Sequence, residues 1–238
     1  MIQVGLLGSK GRMGALIDQI IQKDYSSQAE IHARVSRGDD DQNLLQTDVV
    51  IDVSQPDAMR ALAQKASSSP STLPVFVVGS TGWSEEGISD LKILAKKTPV
   101  LMSSNFSVGV HILHKILREN ATLLKKLGYS ATLLETHHCH KKDAPSGTAL
   151  SLLQSLTPYS TQEIQTHSIR AGEVIGEHEI TFYGASDRIQ ISHSAQDRSL
   201  FARGAIDVAL WLSTLKNIPR RPSHILKMND YFEHLSLK

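Results

Sequence analysis

A chain of 238 residues with 25 lysines and arginines against 24 aspartates and glutamates has a formal charge of +1, so it has no bulk attraction to nucleic acid or to an anionic membrane surface. A single cysteine, Cys139, excludes an internal disulfide and a cage of thiolates around a metal. No apolar run approaches the roughly 18 residues that cross a bilayer, and the first residues enter a strand pattern rather than a basic-then-apolar leader, so a cytoplasmic chain of one large or two modest domains is expected.

Residues 2–7 read as a short buried strand ended by glycine. From Met13 the apolar residues Met13, Leu16, Ile17, Ile20 and Ile21 form the stripe of an amphipathic helix. Residues 31–36 suggest a second strand and 49–53 a third, and a helix follows Pro56 through Met59, Leu62, Ala63 and Ala66. The serine-rich stretch 67–72 reads as a surface loop. Strand 75–78, a helix through Ile88, Leu91 and Leu94, and strand 100–102 complete the first hundred residues. Strand thus alternates with helix, and the strands lack a polar face, which predicts a Rossmann-like, doubly wound parallel sheet. A long helix through Ile112, Leu113, Ile116, Leu117, Leu123, Leu124 and Leu127 then leads into strand 130–136. Segments 165–170, 179–183 and 188–193 alternate with period two, which predicts antiparallel strands with one open face. A helix through Ala205, Val208, Ala209 and Leu212 follows. The expected class is α/β, with a smaller α+β domain built on a mostly antiparallel or mixed sheet.

Between the first strand and its helix stands Gly8-Ser9-Lys10-Gly11-Arg12-Met13-Gly14, with the G-x-x-G-x-x-G spacing. Glycines there permit a tight turn and close backbone approach, so a pyrophosphate can sit on the helix N-terminus. The strand before and the helix after are the context this motif requires, which favours dinucleotide binding over a merely structural turn. At the end of the second strand a basic residue meets a 2′-phosphate, whereas an acid grips the bare ribose. Ser36-Arg37 favours NADPH, while Asp39, Asp40 and Asp41 leave NADH open. Gly79-Ser80-Thr81-Gly82 and Ser103-Ser104-Asn105-Phe106-Ser107 follow two further parallel strands, at the ends where such sheets bind ligands.

The stretch ETHHCHKKDAPSGTAL, residues 135–150, crowds His137, His138, His140, Lys141 and Lys142 into six positions. Pro145 forbids a helix interior, so 141–145 is a loop. Ser146 then caps a helix whose apolar spacing (Ala149, Leu152, Leu153, Leu156) runs to Pro158. Ser146-Gly147-Thr148 therefore offers N–H groups and hydroxyls to an anion. A solvated charge run leaves this cap unexplained. A metal on the histidines meets repulsion from the lysines and lacks a carboxylate pair, so no metal is expected. Proton transfer joined to carboxylate binding uses every residue type present, and histidine titrates near neutrality.

These residues are similar to the 4-hydroxy-tetrahydrodipicolinate reductase family, whose hallmark E-x-H-H-x-x-K-x-D-A-P-S-G-T-A stands unbroken at 135–149. G-x-x-G-R-M-G, the G-x-T-G turn at Gly79, N-F-S-V-G at 105–109, Arg170-Ala171-Gly172 and Gly176-Glu177-His178 match as well. The resemblance implies reduction of 4-hydroxy-tetrahydrodipicolinate to tetrahydrodipicolinate and water, with NADPH or NADH, in diaminopimelate and lysine biosynthesis. It implies His137 as general acid/base and Lys141 as second proton donor, with His138, Ser146, Gly147 and Thr148 on the carboxylates of a small dicarboxylate substrate. Gly8, Ser9, Lys10, Gly11, Arg12, Met13, Arg37, Gly79, Ser80, Thr81, Ser104, Asn105, Phe106 and Ser107 would bind the cofactor. It further implies a dinucleotide-binding domain of residues 1–108 and 199–238, a substrate-binding and oligomerisation domain of 109–198, and a homotetramer. The chain departs from the family in a short 37–48 segment, in Ser36 where an acid is common, and in Ser80 where threonine is common. Cys139, His140 and Lys142 are read as solvated or packed, and His111, His114 and the C-terminal histidines as surface residues. Two rivals remain. A non-catalytic dinucleotide-binding redox regulator leaves His137 and Lys141 idle, and a reductase of another small amino dicarboxylate is separated by substrate-dependent NADPH oxidation.

Overall fold

In the computed structural model, which describes residues 1–70, 72–156, 159, 164–218 and 222–236, the first strand β1 (Ile2–Leu7) lies inside a six-stranded sheet. The chain continues through α1 (Arg12–Asp24), β2 (Ala29–Val35), a 3₁₀ turn (Gln42–Gln46), β3 (Val49–Asp52), α2 (Pro56–Ser68), β4 (Val75–Val78), α3 (Glu85–Ala95) and β5 (Val100–Met102). The strand order is β10-β5-β4-β3-β1-β2, every pair parallel, where β10 is Ile225–Leu226 near the C-terminus. Both faces are covered. Val4, Leu6, Ile51 and Val77 pack with Ile17 and Ile21 of α1 and with Ala205, Ile206 and Leu212 of a later helix, Ser199–Thr214. Leu7, Val50, Phe76 and Val78 pack with Met59 and Leu62 of α2 and Leu91 and Leu94 of α3. This two-sided burial is why the strands are apolar throughout. Order reverses between β1 and β3, so the crevice of this doubly wound sheet opens at the C-terminal ends of those two strands.

The chain divides into two compact units, Met1–Phe106 with Ser199–Lys238, and Ser107–Arg198. The second unit holds α4 (Val108–Lys126), β6 (Ser130–His137), α5 (Gly147–Ser155), β7 (Gln165–Arg170), β8 (Glu177–Tyr183) and β9 (Arg188–Ser194); α6 (Ser199–Thr214) and α7 (Met228–Ser236) return to the first unit. The sheet order is β7-β6-β8-β9. β8 and β9 are antiparallel to their neighbours, but β7 runs parallel to β6, against the expected antiparallel direction. The reason is α5: a helical crossover returns the chain to the same end of the sheet, which period-two alternation does not reveal. Leu113, Leu117 and Ala121 of α4 and Leu152 of α5 cover one face, meeting Leu133, Ile180 and Phe182. Ile169 and Tyr183 stay exposed.

His114 corrects the surface reading. It is buried beside that stripe, with Nδ1 2.7 Å from Ser155 Oγ, and burial pushes its pKa down to about 4. Ile112, Leu123 and Leu127, counted in the apolar stripe, are instead half or more exposed, at 50, 56 and 65 %. The expected helix end at Pro158, and Ser71 of the serine-rich stretch, lie outside the described residues. No described helix is long and apolar enough to cross a membrane.

Candidate active site

In the first unit the glycine loop is shaped by what surrounds it. Gly8 has φ +92°, and a side chain there would also strike the Val53 carbonyl. A Cβ at Gly14 would lie 2.2 Å from the Gly8 carbonyl oxygen, so only glycine lets α1 begin directly over the loop. α1 has no side-chain cap, whereas α3, α4 and α5 are capped by Ser84, Ser107 and Ser146. Its first N–H groups are thus left for an anion. A cleft of about 870 Å³ runs from Gly8 and Gly11 past Ser36, Arg37 and Asp39 to Thr81 and Gly82. These residues fit a dinucleotide.

The rim of this cleft sorts the sequence candidates. Arg37 is exposed and lines it. Ser36 Oγ accepts from Lys10 N and pairs with Ser9 Oγ, while Asp39 accepts from Ser36 N and lies 3.7 Å from Lys10 Nζ. Asp40 accepts from Gln42 N at 3.0 Å, and Asp41 is held by Lys65 at 2.7 Å. Ser80 is buried, its hydroxyl bonded to Asp52. Burial pushes the Asp52 carboxyl up, against the hydrogen bonds of Ser54 and Ser80. Phe106 sits in the hydrophobic core, and Ser107 caps α4 and contacts His193 Nε2 at 3.2 Å. Arg12, Thr81 and Ser104 are exposed, and Met13, Gly79 and Asn105 half-buried.

In the second unit, strand periodicity puts Glu135 and His137 on one face of β6, and both are buried. The Glu135 carboxylate accepts from His137 Nδ1, from Arg170 Nη1 and Nη2 at 3.0 and 2.8 Å, and from Ser146 N at 3.3 Å. Parallel pairing sets Arg170 opposite His137, which brings the guanidinium in. Burial raises the Glu135 pKa, but hydrogen bonds from Arg170, Ser168 and His137 outweigh it and hold the group at about 2. An ionised carboxylate fixes the proton of His137 on Nδ1 and leaves Nε2 as the working nitrogen. A side chain at Gly176 would press within 3.0 Å of that Nε2, so this glycine keeps it clear. Burial lowers the His137 pKa; Glu135 opposes this, and Lys141 and Arg170 add to it.

Lys141 Nζ bonds Asp143 at 2.8 Å. Ser146 Oγ accepts from Ala149 N and lies 3.1 Å from His178 Nε2, so the hydroxyl holds the cap together. Gly147 is exposed with open space where a side chain would stand, and Thr148 beside it is half-buried. Both stand in the first turn of α5, directly after its cap. His138 is half-buried. His178 packs edge-on to His137 at 5.2 Å, and burial followed by the charge of His137 pushes it down to about 4, which keeps it neutral. Glu135, Arg170 and His178 received no role from the sequence. The signal for Glu135 was its two-residue spacing from His137, which on a strand means a shared face.

Two family models cover the chain: dihydrodipicolinate reductase, N-terminus, over residues 2–106, and dihydrodipicolinate reductase, C-terminus, over 109–232. The 4-hydroxy-tetrahydrodipicolinate reductase of Campylobacter jejuni subsp. doylei is 32 % identical, covering 99 % of this chain and 98 % of its own. That of Caulobacter vibrioides is 34 % identical over 89 % and 91 %. The fold is shared with a dipicolinate-bound dihydrodipicolinate reductase from Paenisporosarcina sp. TG-14, at a TM-score of 0.75, 20 % identity and coverage of 95 % and 97 %.

Proposed function

The chain belongs to the dihydrodipicolinate reductase family and reduces 4-hydroxy-tetrahydrodipicolinate with NADPH or NADH, and within that reaction we propose that the Glu135-anchored cluster handles protons and carboxylates. The products are tetrahydrodipicolinate and water, in diaminopimelate and lysine biosynthesis. A nicotinamide cofactor held by the glycine loop of the first unit would supply the hydride for C4 of the ring. Loss of the 4-hydroxyl as water requires a proton at that oxygen. His137 is the general acid/base through Nε2, and Lys141 is the second proton donor. His138 and the N–H groups of Gly147 and Thr148, with Ser146 holding the cap, bind the substrate carboxylates.

One observation carries this assignment. A single buried carboxylate, Glu135, grips His137, Arg170 and the amide of Ser146, so the proton carrier and the anion-binding helix start share one anchor. Gly8, Ser9, Lys10, Gly11, Arg12 and Met13 would hold the pyrophosphate, Arg37 a 2′-phosphate, and Gly79, Ser80, Thr81, Ser104, Asn105, Phe106 and Ser107 the remaining wall, some through backbone alone. The same reading takes residues 1–108 with 199–238 as the dinucleotide-binding domain and 109–198 as the substrate-binding and oligomerisation domain. The protein is cytoplasmic and homotetrameric in this reading, with copies meeting through the open sheet face that carries Ile169 and Tyr183. NADPH oxidation on adding the aldol product of pyruvate and aspartate semialdehyde tests the function. No oxidation with that substrate would reject it.

A further inference from the structure

Just past the paired ends of β6 and β7, two turns are tied together: Cys139 N donates to Gly172 O at 3.1 Å. Cys139, His140 and Glu173 stand on these turns, all exposed, with Sγ, a ring nitrogen and a carboxylate oxygen within 4.8 Å of one another. Zinc bonds of about 2.3 Å to sulfur and about 2.0–2.2 Å to nitrogen and oxygen, set tetrahedrally, place ligand atoms about 3.3–3.8 Å apart. His140 Nε2 and Glu173 Oε1 already meet that spacing at 3.5 Å. The sulfur lies within 4.8 Å of both atoms and so has at most about one ångström to close, within reach of an exposed rotamer. We propose that Cys139, His140 and Glu173 bind a soft divalent transition metal, zinc foremost, with water in the fourth position.

The donor set suits zinc in kind and in charge: thiolate and carboxylate together neutralise the ion, and neutral imidazole completes three protein ligands. Of the neighbouring cations, Lys141 is turned to Asp143 at 2.8 Å and Lys142 is exposed to solvent. An ordinary surface ion pair between His140 and Glu173 has no use for a sulfur beside it. Because Lys141 follows His140 directly, an occupied site restrains the segment carrying that lysine, and turnover falls. This consequence rests on the role proposed for Lys141; the binding does not.

The test is titration of the reduced full-length protein with Co²⁺, read by absorbance. Since Cys139 is the only cysteine, a sulfur-to-cobalt charge-transfer band reports this site alone. One equivalent should generate the band, and Zn²⁺ should displace it. Even outer-shell partners are worth about 10–100-fold in metal affinity, so Cys139→Ser should abolish the band and Glu173→Gln should weaken binding at least tenfold. Absence of the band, or a Glu173→Gln affinity equal to wild type, would overturn the site. Zn²⁺ should inhibit wild type and spare Cys139→Ser; equal inhibition of both would remove the link to turnover.

Discussion

A carboxylate without solvent exposure persists in ionised form only where hydrogen bonds replace its lost water, and Glu135 accepts them from His137, Arg170, Ser168 and Ser146. Its pKa lies at about 2 rather than the usual 4.5, so its network adds stability above the ordinary carboxyl range, lost as pH falls from about 4.5 toward 2. Glu135→Gln removes that acid dependence. It also removes the one influence that raises the His137 pKa, so the limb of the kcat/KM profile set by this histidine should move to lower pH. General acid–base catalysis is worth about 10²–10⁴-fold, and disorienting the imidazole should forfeit roughly tenfold or more of it. A profile unmoved from wild type would reduce Glu135 to a packing role. Arg37 is a second case at this scale. With Asp39 turned to Ser36 and Asp41 to Lys65, the exposed guanidinium lines the cleft without an ion-pair partner among the described residues. A charge-assisted contact contributes about 1.5–3 kcal/mol, so Arg37→Ala should weaken NADPH binding about tenfold or more and leave NADH nearly unchanged. Titration of both cofactors decides it, and equal losses would make Arg37 a surface charge only.

The passage from β6 through a proline-bearing loop into α5 turns one strand and one helix into a site, and each of its parts had a sequence signal. Residues 130–136 read as a strand, Pro145 marked the loop, and Ser146 the cap. Thr148 stands in the first turn of α5, so Thr148→Val keeps shape while deleting a hydroxyl near the proposed carboxylate. The substrate KM should rise roughly tenfold, about 1.5 kcal/mol, with cofactor affinity unchanged. An unaltered KM would locate the anion elsewhere. Other elements were hidden for physical reasons. The parallel direction of β7 follows from a crossover, which leaves no mark on side-chain alternation. β10 has two residues, Ile225 and Leu226, too few for any period to appear. The burial of His114 left no sequence signal, because a polar type on a core-facing helix position is explained only by its partner, Ser155, 41 residues away. The clasp of Glu135 by Arg170 was similarly out of reach, since it depends on the register between two strands 35 residues apart.

At the scale of the whole molecule, the open sheet face is the feature that one copy leaves uncovered, with Ile169 and Tyr183 at 45 and 44 % exposure. If four copies share that face, sedimentation equilibrium gives four times the chain mass, and an Ile169→Lys and Tyr183→Lys double variant lowers it; a monomeric wild type would refute the assembly. Fold and family leave the chemistry itself to be tested, because a dinucleotide fold alone does not require His137 or Lys141 to act. The most direct measurement is turnover of the aldol-derived substrate by His137→Gln and Lys141→Ala, with NADPH affinity measured on the same preparations. Each variant should lose about 10²-fold or more in kcat, the lower range for acid–base catalysis, while binding NADPH as wild type does. Near-normal kcat in both variants would contradict the assignment.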